Sequence, residues 1–218
     1  MNAMHVVIVA NAPAVDVAPY RSLIQAADRL IAADGGGTAL FREGYAPSLL
    51  IGDLDSIIPE ALAAYQTQGV VIERHRPDKD ETDLELALLA AARMGATRID
   101  VIGALGGRWD QSLANVMLLG MDELRGRRVR LIDLPQQIWL VHDESIIPGL
   151  EGDTVSLLPF GGNAHGITTE GLAYPLHNGT LYYDRARGVS NVIDKLPARV
   201  SVRQGRLLVV LISRSPLV

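Results

Sequence analysis

Cysteine is absent from the 218 residues. Disulfide staples, thiolate metal sites and a cysteine nucleophile are thereby excluded. Long apolar runs are missing as well. The first, Met4 to Ala10, is too short to span a bilayer, and no basic stretch precedes it as in a secretory signal. It reads as a buried strand, and the expected location is the cytoplasm. No long Lys/Arg run occurs, and 20 basic against 25 acidic residues leave a net charge of −5. That balance argues against a nucleic-acid or membrane-surface binder. The G-x-S-x-G elbow of serine hydrolases is lacking, as are the Walker pattern and the G-x-G-x-x-G spacing. Five histidines (His5, His75, His142, His165, His177) show no ligand spacing and read as ordinary strand or loop residues. For Trp109 and Trp139, filling core is the expectation over stacking on a ring.

What is present is an ordinary globular composition, 48% hydrophobic and 21% charged, long enough for one large domain or two small ones. Up to about residue 133, short β-branched runs alternate with amphipathic ones. Strands are expected at His5–Ala10, Leu30–Ala33, Leu49–Ile51, Val70–Ile72, Ile99–Ile102 and Val129–Ile132. Helices are expected near Tyr20–Asp28, Pro59–Gln66, Thr82–Met94 and Gln111–Leu119. This alternation predicts βαβ units and a doubly wound, mostly parallel sheet. The clearest helix opens on the capping-box pattern Thr82-x-x-Glu85 and ends before Gly95, where a left-handed cap belongs.

Beyond Leu134 the texture changes. Strand-like runs (Ile138–His142, Thr154–Leu158, Thr180–Tyr183, Arg199–Arg203, Leu207–Ile212) are punctuated by Pro148-Gly149, Gly161-Gly162 and Asn178-Gly179. The expected organisation is an α/β domain over residues 1–134 followed by a smaller all-β sandwich domain over 135–218.

Carboxylates are concentrated: positions 53, 55, 60, 73, 78, 80, 81, 83 and 85 place nine within 33 residues. Two tight clusters, Gly52-Asp53-Leu54-Asp55-Ser56 and Asp78-Lys79-Asp80-Glu81-Thr82-Asp83, each follow an expected strand. They therefore sit at the carboxyl edge of the sheet, where open α/β folds bind ligands. Oxygen ligands at such an edge suit Mg²⁺. Either cluster alone also reads as a turn or a helix cap. Two at one edge are harder to reconcile without a cation, since like charges repel. Asp34-Gly35-Gly36-Gly37-Thr38 follows the second strand and opens a helix, so its amides could face a phosphate. Gly103-Ala104-Leu105-Gly106-Gly107-Arg108-Trp109-Asp110 offers close backbone approach and, in Arg108, a bidentate phosphate clamp. Its plainer reading is a flexible loop with Asp110 as the helix cap.

Taken in order, Asp34-Gly35-Gly36, Gly52 to Ser56, Asp78 to Asp83 and Gly106-Gly107-Arg108-Trp109-Asp110-Gln111 resemble the signature of the thiamine pyrophosphokinase family. Gly171-Leu172-Ala173-Tyr174-Pro175-Leu176 and Gly188-Val189-Ser190-Asn191 look like that family's thiamine-binding domain. The resemblance implies transfer of the pyrophosphoryl group of ATP to thiamine, giving thiamine diphosphate and AMP. It also implies a homodimer with active sites at the subunit interface. Carried over by motif, Asp53, Asp55 and Asp83 would bind Mg²⁺ and, with Arg108 and Asp110, form the catalytic set. Asp34, Gly35, Gly36, Asp78, Asp80 and Thr82 would border the ATP. Ser190 and Asn191 would contact thiamine, from the partner subunit. Gln111 stands where many members have His, so no general base is assigned. Alternatives are a pyrophosphokinase for another hydroxymethyl heterocycle such as a pterin, a metal-dependent phosphohydrolase, or a non-catalytic nucleotide- or thiamine-sensing module.

Overall fold

The computed structural model describes residues 3–214, so the outermost residues of both expected domains lie outside it. The chain divides into two compact units between Asp133 and Leu134.

The first unit contains strands β1 (His5–Val9), β2 (Arg29–Ala33), β3 (Leu49–Gly52), β4 (Val71–Arg74), β5 (Arg98–Ile102) and β6 (Arg128–Asp133). They form a parallel array in the order β4-β3-β2-β1-β5-β6. The chain walks outward from β1 to β4, then returns to pair β5 with the other side of β1. The β1/β5 boundary is thus the topological switch point. Helices α1 (Arg21–Gln25), α2 (Gly36–Arg42), α3 (Pro59–Thr67), α4 (Asp83–Arg93) and α5 (Trp109–Met117) fill the connections. Val7, Val9, Ala32 and Leu50 join Leu40 of α2 and Ala61 and Tyr65 of α3 in one core. Val6, Ile8, Ile31 and Ile51, of the opposite parity, are equally buried. Strands covered on both faces need continuous apolar runs, which is why no alternation shows in their sequence. In α4, Leu84, Leu88 and Ala91 are buried as expected, and the Thr82 hydroxyl accepts the Glu85 amide at 3.2 Å. Gly95 closes the helix at φ 84°.

In the second unit the strands are β7 (Gln136–Val141), β8 (Glu144–Ile147), β9 (Thr154–Pro159), β10 (Ala164–Glu170), β11 (Gly179–Leu181), β12 (Asn191–Val192), β13 (Ala198–Ser201) and β14 (Leu207–Ile212). They build two antiparallel layers, β12-β9-β14-β7 and β11-β10-β13-β8. Trp139, Val155, Leu157 and Val209 from one layer pack with Ile147, Ile167 and Val200 from the other. This is the β-sandwich expected of the second half. Three strands, β8, β10 and β12, were not among the expected ones. β10 is broken by Gly166 at φ 68° and a register shift between His165 and Ile167, which erases its period-two pattern. β12 has only two residues, too few to show one.

No helix among the described residues is long and apolar enough to cross a membrane.

Candidate active site

Five loops leave the carboxyl ends of β1 to β5 around the switch point. With the start of α4 they enclose a cleft of about 510 Å³, lined by Asn11, Asp34, Asp53, Asp55, Lys79, Asp83 and Arg108 among others. At its floor, carboxylate oxygens of Asp34, Asp53 and Asp83 lie within 4.8 Å of one another. Two of the residues expected by sequence as metal ligands, Asp53 and Asp83, are therefore brought together. The third member is Asp34, not Asp55.

The local backbone explains that exchange. Leu54 between the two aspartates is turned to φ 68°, and Asp53 Oδ1 accepts the Asp55 amide at 3.2 Å. This Asx turn replaces the extended chain between them, and Asp55 is not among the three carboxylates that converge. Asp55 is left exposed at the rim, accepting from the Ser56 hydroxyl at 2.7 Å. Asp34 is only 3% exposed and also has positive φ, 45°. Its Oδ1 accepts from the Ser56 amide at 3.2 Å, and its Oδ2 from Asn11 Nδ2 at 3.3 Å. Burial pushes the Asp34 carboxyl above its ordinary pKa; the Ser56 hydrogen bonds oppose the rise and the Asp83 charge adds to it.

Glycine is required at position 52. A Cβ there would come 3.0 Å from Asp83 Oδ1 and 3.1 Å from Asp34 Cβ, at φ 143°. Side-chain-free backbone is what lets two carboxylates face each other across β3. Lys79 Nζ stands 2.9 Å from Asp83 Oδ1. The contact is an ion pair without hydrogen-bond alignment, since Asp83 Oδ1 is buried and receives no hydrogen bond. Burial lowers the affinity of Lys79 for its proton, but Asp83, Asp53 and Asp34 outweigh it and hold the ammonium above its ordinary pKa. Three converging carboxylates, one of whose oxygens is held by an ion pair to Lys79 alone, offer the oxygen donors a hard divalent cation takes.

The remaining expected residues divide. Thr82 lines the cleft and caps α4. Arg108 lines it too, but its guanidinium is paired in two-pronged fashion with Asp110, Nε to Oδ1 at 3.0 Å. That bond holds the Asp110 carboxyl down, to a pKa of about 2. Asp110 lies in the first turn of α5, and the residue preceding the helix is Arg108, so Asp110 is not the N-cap. Gly35 and Gly36 are buried and do not line the cleft. They are small because a Cβ on Gly36 would meet Val9 O at 2.1 Å and one on Gly35 would meet Asn11 Oδ1 at 2.1 Å. Asp78 and Asp80 are exposed outside the lining, Asp78 pairing with Arg76 at 2.6 Å. Trp109, expected in core, is 81% exposed, whereas Trp139 is buried as expected.

Sequence reasoning did not single out Asn11, Lys79, Ser56, Ser112 or Asn115. The Ser112 hydroxyl accepts the Gly106 amide at 3.1 Å and Asn115 Nδ2 donates to Ala104 O at 2.7 Å, bracing the glycine-rich loop. Lys79 stood inside a recognised motif, and a cation flanked by aspartates was the signal for it. Asn11 and Asn115 carried none.

The second unit has its own hollow, about 290 Å³, lined by Leu157, Tyr174, Leu176, Arg187, Val189, Ser190 and Asn191 among others. Both residues expected to contact thiamine are there. Ser190 has φ 59° and donates its amide to Ser156 Oγ at 3.1 Å. Gly188 must be glycine, because a Cβ would sit 2.0 Å from Leu157 O.

A parallel α/β unit with an acidic cleft at its switch point, followed by a β-sandwich with a separate hollow, defines a two-unit α/β-plus-β ligand-binding protein. Residues 20–130 match the catalytic domain of thiamin pyrophosphokinase, and residues 140–207 its vitamin B1 binding domain. The chain is 29% identical over 187 residues to the thiamine pyrophosphokinase of Bacillus subtilis (strain 168), spanning 83% of this chain and 85% of that one. It is 29% identical over 199 residues to thiamine pyrophosphokinase 1 of Oryza sativa subsp. japonica, spanning 78% and 74%. The crystal structure of thiamine pyrophosphokinase from Bacillus subtilis superposes with a TM-score of 0.86 at 26% identity, covering 97% of this chain and all of that one. This chain belongs to the thiamine pyrophosphokinase family.

Proposed function

We propose that the protein is a thiamine pyrophosphokinase, moving the pyrophosphoryl group of ATP to the hydroxyl of thiamine. The observation that carries this reading is the convergence of Asp34, Asp53 and Asp83 at the switch point, in a chain matching both domains of the family. In the step, the thiamine hydroxyl oxygen bonds to the β-phosphorus of ATP, the bond from that phosphorus to the α–β bridging oxygen breaks, and AMP leaves. Such transfers depend on positioning and charge neutralisation more than on covalent help. Mg²⁺ held by Asp34, Asp53 and Asp83 would neutralise charge on the phosphate oxygens. Lys79 and Arg108 add cationic side chains at the same cleft, and Asp55 stands at its rim to receive a water or a second cation. Gln111 cannot accept the hydroxyl proton, so solvent or a carboxylate receives it.

In this reading the unit ending at Asp133 carries nucleotide and metal, and the unit beginning at Leu134 carries thiamine in the hollow beside Ser190. The working form is a cytoplasmic homodimer in which each acceptor hollow serves the partner's cleft. The stripe Trp109, Leu113 and Met117, exposed at helical spacing on α5, supports a partner surface there. The test is a product assay with ATP and Mg²⁺, with and without thiamine. Thiamine-dependent AMP and thiamine diphosphate are expected. Inorganic phosphate irrespective of thiamine would identify a phosphohydrolase, AMP formation with a hydroxymethyl pterin only would identify the other pyrophosphokinase, and no turnover with retained binding would identify a sensor.

A further inference from the structure

Asn191 lines the hollow of the second unit, yet its side chain is already engaged. Oδ1 accepts from the Tyr174 amide at 3.0 Å and from the Val192 amide at 2.9 Å. Nδ2 donates to Tyr174 O at 2.7 Å. An asparagine side chain has two acceptor sites and two donor hydrogens, so three of four are spent on backbone and one N–H is left. Bonding both the N–H and the C=O of one residue, Asn191 does what a paired strand residue would do. It continues the ladder made by Ala173 N and Val192 O at 2.9 Å. The other end of the segment is tied by Thr169, whose hydroxyl accepts the Leu176 amide at 2.8 Å and whose own amide donates to Leu176 O at 2.9 Å. Held by the first clamp, Tyr174 projects 72% exposed and lines the hollow with Pro175 and Leu176. An exposed ring on a backbone fixed at both ends is a preorganised apolar face.

We infer that Asn191 is a positioning residue that acts on the acceptor through the Tyr174–Leu176 segment and does not itself bond the acceptor. This rests on the reading of the hollow as the thiamine site. An aromatic, cationic acceptor is recognised by the Tyr174 ring face, which supplies area and a cation–π surface. Asn191 sets where that face stands.

The experiment compares Asn191→Ala, Asn191→Asp, Tyr174→Ala and the Asn191→Ala/Tyr174→Ala double variant in the full chain, each verified as folded by its melting transition. Expected is a roughly tenfold rise in KM for thiamine in every variant, little change in KM for ATP, and a double variant no worse than the worse single one. Fold-changes that multiply in the double variant would show that Asn191 has its own contact, overturning the inference while leaving the site reading intact. An Asn191→Asp variant with lowered KM would do the same, because a carboxylate touching a cationic acceptor would tighten it. Hydrogen exchange without any ligand supplies a separate readout. Asn191→Ala should accelerate exchange of the Tyr174 and Val192 amides, and unchanged protection there would overturn the brace itself. If thiamine KM moves in none of the variants while those amides do exchange faster, the hollow is not the acceptor site and the inference falls with that reading.

Discussion

Neutralising Asp83 separates function from stability. Asp83→Asn removes one of three carboxylates whose oxygens approach within 4.8 Å. At an effective dielectric of about 20, a pair at that limit repels by roughly 3.5 kcal/mol. Asp83 has two such partners when all are ionised, and one attraction, Lys79 at 2.9 Å, worth roughly 6 kcal/mol on the same scale. The repulsions and the attraction therefore cancel to within about 1 kcal/mol. Asp83 is also the first residue of α4, where loss of negative charge forfeits about 0.5 kcal/mol of dipole stabilisation. The folded state should change by no more than about 1 kcal/mol, a shift of roughly 2–4 °C in Tm. Activity should respond differently. Outer-shell substitutions at metal sites already cost about 10–100-fold, so loss of a ligand should lower kcat/KM for AMP formation by more than about a hundredfold. Calorimetry with Mg²⁺ or Mn²⁺ should show weakened metal uptake. A Tm lowered by ten degrees with turnover retained would refute the reasoning and leave Asp83 as a helix-start residue.

The buried network at Asp100 should behave in the opposite way. Asp100 is fully buried, with Arg130 Nε at 2.6 Å, Arg98 Nε at 2.9 Å and His5 Nε2 at 2.9 Å, so Asp100→Asn should cost about 3–5 kcal/mol in denaturant melts. Burial raises the Asp100 pKa, but Arg130, Arg98 and His5 outweigh it and the net shift is downward from 3.8. Its stabilisation is present above pH 3.8 and lost as pH falls below it, so Asp100→Asn should flatten the acid limb of stability against pH; an unchanged limb would refute this. Thr82→Ala deletes the α4 cap bond and should lower stability by about 1 kcal/mol, with faster exchange of the Glu85 amide; an unaltered melt would refute the cap. Mixing Asp83→Asn chains with Tyr174→Ala chains, at thiamine well below KM where Asp83→Asn is nearly silent and Tyr174→Ala keeps about a tenth of wild-type activity, should raise activity to as much as about half of wild type per mixed dimer, since one of two symmetric sites is intact. No recovery after demonstrated subunit exchange would end the shared-site proposal.

Much of this architecture was legible in order and type. The six apolar runs of the first unit became β1–β6, because short β-branched segments separated by helical periods build a parallel sheet; the central strands are covered on both faces, while the edge strand β4 has no buried residue. The punctuated second half signalled a β-sandwich. The Thr82 cap and Gly95 stop were readable because capping depends on bonds between residues three or four positions apart. What tertiary structure decided was which aspartates meet. Asp34, Asp53 and Asp83 come from the ends of two strands and the start of a helix, and only the parallel order β3-β2-β1 with Gly52 bare at φ 143° draws them together. Local spacing singled out Asp53 and Asp55 together; in the folded chain it is Asp34, nineteen residues before Asp53, that joins Asp53 and Asp83. Likewise the sequence singled out Ser190-Asn191, which line the hollow of the second unit. That Asn191 spends itself on the backbone of Tyr174, seventeen residues earlier, depends on antiparallel contacts that no local pattern encodes. Periodicity and capping are properties of neighbours along the chain; convergence of charge and commitment of a side chain's hydrogen bonds belong to neighbours in space.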